Sequence, residues 1–136
     1  MKKNAADLLY FGIWLVIVSL LLPSARSARA QEPPTVKVSL VLTSGMQNPG
    51  WIVSDPADLA RLREFLKGLP TAQPVDEPQF GGFLLTGDEA KCRFPARVRV
   101  FDGIIKATTA DGTTRFFQDK KGLEAFLVQE TKTRGL

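Results

Sequence analysis

The chain has 136 residues, 44% hydrophobic and 24% charged, a balance that fits one globular domain and excludes disordered or collagen-like composition. It carries 18 Lys+Arg against 14 Asp+Glu, one cysteine and no histidine. Ser-His-Asp and Cys-His catalysis therefore cannot be assembled from this chain, and one cysteine cannot build a Cys/His zinc site.

The first thirty residues have the layout of a secretory signal peptide. Lys2 and Lys3 precede an apolar run from Leu8 to Leu22, broken only by Gly12 and Ser19. Pro23 and Ser24 end the run, and Ala28-Arg29-Ala30 offers small residues for cleavage before Gln31. A spanning helix needs roughly 20 apolar residues, so cleavage is favoured over the alternative, an uncleaved membrane anchor at residues 8–22. The expected protein is exported, periplasmic or secreted. Residues 31–136 then form a single small domain of 106 residues, with 14 basic and 13 acidic side chains. Most of the positive excess thus belongs to the leader. With it goes the argument for a nucleic-acid partner.

Val36, Val38, Leu40 and Leu42 alternate with Lys37, Ser39, Val41 and Thr43, the pattern of a half-buried strand. A loop through Ser44-Gly45 and Asn48-Pro49-Gly50 leads to a short strand at Trp51-Ile52-Val53. Asp55 and Pro56 are a helix start, with Leu59, Leu62, Phe65, Leu66 and Leu69 at helical spacing and Gly68 and Pro70 as the stop. Pro70, Pro74 and Pro78 mark an extended connector. Strand character resumes over Phe80–Thr86, and Lys91–Phe94 reads as a further short strand ended by Pro95. Asp102-Gly103 and Asp111-Gly112 punctuate three alternating runs between Arg97 and Phe117, the signature of a meander. Asp119 caps a final helix with Leu123, Phe126 and Leu127 as its stripe, and residues 131–136 are expected as a frayed tail.

This order predicts an α+β fold: a two-layer sandwich with an antiparallel sheet of about five strands, two helices on one face and the other face largely open. If each Asp-Gly is a two-residue turn, Arg99 pairs with Lys106 and Arg97 with Thr108, which in turn faces Arg115. One face then collects Val98, Val100, Ile105, Ala107, Thr109 and Phe116 as core. The other collects Arg97, Arg99, Phe101, Ile104, Lys106, Arg115 and Phe117.

Catalytic signals are weak. Gly82–Gly87 has the glycine spacing of a phosphate loop, but Asp88 stands where lysine is needed. The pairs Asp76-Glu77, Asp88-Glu89 and Asp55/Asp58 sit in turns or caps, where nothing separates their pKa values. Cys92 lies between Lys91 and Arg93, and strand alternation would bury it. No catalytic, metal or cofactor residue is assigned.

The sequence points to an exported, non-catalytic binding module. The expected partner is a protein or an anionic envelope component, met through the basic–aromatic face of Arg97, Arg99, Phe101, Lys106, Arg115 and Phe117, with no obligate oligomer. Trp51 is a further candidate contact. The alternative is an inhibitor of a periplasmic or extracellular enzyme that uses the loop at residues 44–51 as a plug.

Overall fold

The computed structural model describes residues 32–42 and 48–136. The leader, and residues 43–47 of the proposed plug loop, lie outside the described residues. The described chain is an α+β fold built on a six-stranded antiparallel sheet with three helices. The strands are β1 (Val36–Leu40), β2 (Gly50–Val53), β3 (Phe83–Gly87), β4 (Arg97–Phe101), β5 (Ile104–Thr108) and β6 (Thr114–Gln118). Their order across the sheet is β2-β1-β3-β4-β5-β6. The helices are α1 (Pro56–Phe65), α2 (Glu89–Cys92) and α3 (Leu123–Thr133).

The α1 start is as the sequence predicts. Asp55 Oδ1 accepts from the Ala57 (2.8 Å) and Asp58 (3.4 Å) amides, and Pro56 occupies the first turn, where no amide donor is needed. Asp119 also caps α3, from four residues upstream. Its two carboxylate oxygens accept from Leu123 N (2.7 Å) and Glu124 N (2.8 Å), across a turn that ends at Gly122 with φ 81°. The expected frayed tail is helical to Thr133.

Two elements differ from expectation. Residues 89–92 form one helical turn rather than a strand, because Asp88 Oδ1 accepts from Lys91 N at 3.0 Å and nucleates it. The conclusion for Cys92 still holds: it is buried, and its thiol donates to Thr35 O at 3.2 Å. The sixth strand follows from β2, β3 and the meander all joining one sheet.

Residues opposite each other across neighbouring strands share a face. Register therefore places Val36, Val38, Phe83, Leu85, Val98, Val100, Ile105, Ala107 and Phe117 together. These pack with Leu59 and Leu62 of α1 and Leu123 and Leu127 of α3 in one hydrophobic cluster. The helices thus cover one face of the sheet. Apart from Ala107, the buried strand residues of this face are β-branched, leucine or aromatic, the types that fit a pleated half-buried surface.

The other face is not left open. After α1, the Pro70–Gly82 connector runs along the free edge of β6. There Thr71 bridges Phe117, Ala72 N donates to Phe116 O (2.9 Å) and Gln118 N donates to Pro70 O (2.9 Å). It then crosses the non-helical face to enter β3. The wrap protects the β6 edge from pairing with other chains.

Gly82 lets the connector lie against β4. Its φ is 74°, and a Cβ there would fall 2.0 Å from Val100 O. Gly82→Ala should cost about 1–3 kcal/mol in urea unfolding, combining left-handed strain with a backbone clash. Gly81→Ala shares the positive φ (94°) but meets nothing within 4 Å, and should cost less.

Candidate functional site

The meander's first turn is the two-residue hairpin predicted from sequence. Asp102 (φ 48°) and Gly103 (φ 75°) both adopt left-handed conformations, and Arg97, Arg99 and Phe101 face Thr108, Lys106 and Ile104. The second turn is longer. Thr109 N donates to Thr113 O (2.9 Å) and Gly112 N to Thr109 O (3.0 Å), leaving Ala110, Asp111 and Gly112 as a three-residue loop. Gly112, at φ 90°, supplies the left-handed position that closes such a loop. One extra loop residue shifts β6 by one position, so Thr108 faces Thr114 and Arg115 faces Ala107. The predicted face is corrected accordingly. Arg115 and Phe117 lie on the helical side, and Phe116 takes the position assigned to Phe117.

What remains of the basic–aromatic face is occupied from within. Glu77 of the connector sits over it, accepting from Arg97 Nη1 (2.9 Å) and Nη2 (3.2 Å) in a two-pronged pair. Glu77 Oε1 also lies 3.9 Å from Arg99 Nε and 4.0 Å from Lys106 Nζ. Arg99 is only 2% exposed. It donates to Phe83 O and Pro78 O, both at 3.2 Å, and its guanidinium stands 5.6 Å from the Phe101 ring centre. Lys106 stands 5.8 Å from the Phe116 ring. The Arg97 hydrogen bonds hold the Glu77 carboxyl below its ordinary 4.5, with burial opposing them and the charges of Arg97, Lys106 and Arg99 assisting. Burial lowers the Arg99 pKa, which Glu77 partly restores. These three cations clamp the connector.

Trp51 faces the helices through its pairing with Val38. It is half-buried against the core, with the Arg134 guanidinium 5.0 Å from its ring. The predicted site residues therefore separate into three places: Arg97, Arg99, Phe101 and Lys106 under the connector, Trp51 against α3, and Arg115 with Phe117 at a cleft.

That cleft opens on the helical side, where α1 stops short of the β5–β6 end of the sheet. Its volume is about 720 Å³, within the range of ligand pockets. The apolar part is Leu66, Phe94, Pro95, Ala107 and Phe117, and the cations are Arg63, Lys67, Arg93 and Arg115. Arg63 lies in the last turn of α1 and Lys67 in the turn that follows the Leu66 cap. Arg63 gives one N–H to Cys92 O (2.9 Å), and Lys67 pairs with Glu64 at 2.6 Å. Arg93 and Arg115 are exposed, and among the described residues neither makes an ion pair within 4.0 Å. Among the described residues, Asp111 is the only carboxylate lining the cleft. Its carboxylate is turned onto its own loop, accepting from Thr109 Oγ1 and from Thr113 N, which lowers its pKa to about 2.

Arg93 also holds an unusual backbone. It ends α2 at φ 51°, a left-handed position that glycine normally takes. An arginine there costs roughly 1 kcal/mol relative to a relaxed conformation.

The sequence reading missed Arg63, Lys67 and Arg93 as site residues. The sequence put Arg63 and Lys67 near the end of the first helix, but what they face depends on where that helix ends over the sheet. Among the described residues there is no group of three or more His, Cys, Asp or Glu side chains placed to hold a metal. No helix of the described residues is long and apolar enough to cross a membrane. No protein-family model matches the chain, and neither the curated proteins nor the solved structures contain a match.

Proposed function

We propose that this chain is an exported, non-catalytic binding module that takes an anionic ligand in the cleft between α1 and the β5–β6 hairpin. One observation carries the reading: Arg93 and Arg115 line one cavity with Arg63 and Lys67, and among the described residues no carboxylate pairs with either of the first two. Basic side chains without acidic partners around a concave apolar surface raise the local concentration of anions. Arg93 presents its guanidinium at the cleft from a left-handed backbone position, where glycine would be the relaxed choice. The covered face is the weaker candidate, because Glu77 already answers its cations. Export rests on the leader's charged start, apolar run and small-residue site. The near-balanced charge of residues 31–136, 14 basic against 13 acidic side chains, argues against a nucleic-acid partner.

The test is binding of octyl phosphate to the full domain by calorimetry, at low and at high salt. Arg93→Gly and Arg115→Gln should each weaken binding about tenfold, the scale of a charge-assisted hydrogen bond. Added salt should weaken it further. Arg93→Gly relieves the left-handed strain, so it should be at least as stable as the parent, and its lost affinity cannot be blamed on unfolding. Lys106→Gln, on the opposite face, should bind like the parent. Equal binding by all three variants, or none by the parent, would overturn the proposal.

A further inference from the structure

Building on the cleft as the binding site, we infer that its ligand is a single-chain amphiphile: an anionic head, phosphate or carboxylate, carried on an aliphatic tail. The cleft has two chemistries side by side. Arg63, Lys67, Arg93 and Arg115 line it together with the apolar Leu66, Phe94, Pro95, Ala107 and Phe117, of which Phe94 and Ala107 are nearly buried. A small hydrophilic anion would satisfy the arginines and leave that apolar lining wet. An extended acidic peptide would set carboxylates against it. An amphiphile answers both, placing its charge on the guanidiniums and its tail along the leucine, proline and rings.

The fold explains why such a lining exists. Ala107 and Phe117 belong to the helical face of the sheet, which is elsewhere covered by Leu59, Leu62, Leu123 and Leu127. Helix α1 ends at Phe65 with Leu66 as its cap, and the chain then leaves for the β6 edge. Beyond that helix end the half-buried Phe117 and the nearly buried Ala107 line the gap. The turn at Thr109–Thr113 and the Arg93–Pro95 segment wall the gap instead of filling it.

The measurement is a chain-length series of monoalkyl phosphates, from butyl to decyl, titrated calorimetrically below micelle-forming concentrations. Full burial of a methylene is worth up to about fourfold in affinity, so a tail half-buried along the wall should gain about 30-fold or more from butyl to decyl. Leu66→Gln should flatten the series, lowering the decyl affinity several-fold more than the butyl, and Arg93→Gly should lower every member by a similar factor. A sedimentation assay with phosphatidylglycerol vesicles separates a monomeric ligand from a bilayer surface. Cleft binding predicts that octyl phosphate competes with any vesicle association.

A flat series with binding retained, or equal affinity for a hexaglutamate peptide, would overturn the amphiphile and leave the anionic cleft standing. No binding by any probe would overturn both. Vesicle association that ignores octyl phosphate and the Arg93→Gly change would assign the protein to membrane surfaces and overturn the inference.

Discussion

Replacing Arg99 by alanine should destabilise the domain by about 3 kcal/mol, the largest effect expected of any polar substitution in the chain. The guanidinium is buried and donates to two backbone carbonyls, Phe83 O in the sheet and Pro78 O in the connector. Removing it leaves both short of a donor, unseats Glu77 from one of its cations and strips the stem that packs beside Phe101. Arg97→Gln should cost at most about 1 kcal/mol, because Arg97 is substantially exposed and solvent replaces its pairing. Urea unfolding of the two variants distinguishes a clamp centred on Arg99 from a surface ion pair. Equal costs would refute the clamp.

The same cluster gives the domain an acid dependence. In the unfolded chain Glu77 takes up its proton near the ordinary 4.5, and in the folded protein the Arg97 hydrogen bonds push that uptake lower. The stabilisation is therefore present in full above about pH 4.5 and lost as pH falls through the lowered folded value. Glu77→Gln should be about 1–2 kcal/mol less stable than the parent at pH 7, with the gap closing in that acid window.

The second large effect tests the register of β6. Phe117→Ala should cost about 2–3 kcal/mol, since Phe117 packs against the core cluster, whereas Phe116→Ala should cost about 1 kcal/mol. Sequence reading with a two-residue turn gives the reverse order, because it buries Phe116. Chemical denaturation of both variants decides between them. Deleting Ala110 carries this further. It would shorten the loop to the two-residue form and force β6 to slip or the turn to rebuild.

Much of the architecture was legible because local chemistry and tertiary packing agree. Asp55-Pro56 begins α1, Asp102-Gly103 makes the hairpin it advertises, and Val36 and Val38 alternate into the core. Asp119 caps α3, although from further upstream than the usual position. The second Asp-Gly misled for a physical reason. Glycine in the left-handed region serves both a two-residue turn and the closing position of a three-residue loop, and nothing local in Ala110-Asp111-Gly112 says which. Reading Lys91–Phe94 as a strand failed because Asp88 acts as a helix cap, and one turn is too short to show a period.

The connector was legible as extended but not as a wrap. Its course depends on Glu77 meeting cations from two strands and on Gly82 clearing Val100, both contacts distant in sequence. The cleft is less legible still. It is assembled from residues 63–67, 93–95 and 107–117, and exists only because α1 stops before the end of the sheet. Arg115 and Phe117 entered the predicted site on a mistaken register, and the structure gives them a place in a different one.

The account's central claim is that anions meet this protein at the cleft and not at the connector-covered face. Chemical-shift mapping of a uniformly labelled domain titrated with octyl phosphate tests it most directly. The predicted result is a set of progressive shifts confined to Arg63–Lys67, Arg93–Pro95 and Ala107–Phe117, with Thr86 and Lys106 unmoved. Shifts centred on Arg97, Arg99 and Lys106, or no shifts at all, would contradict it.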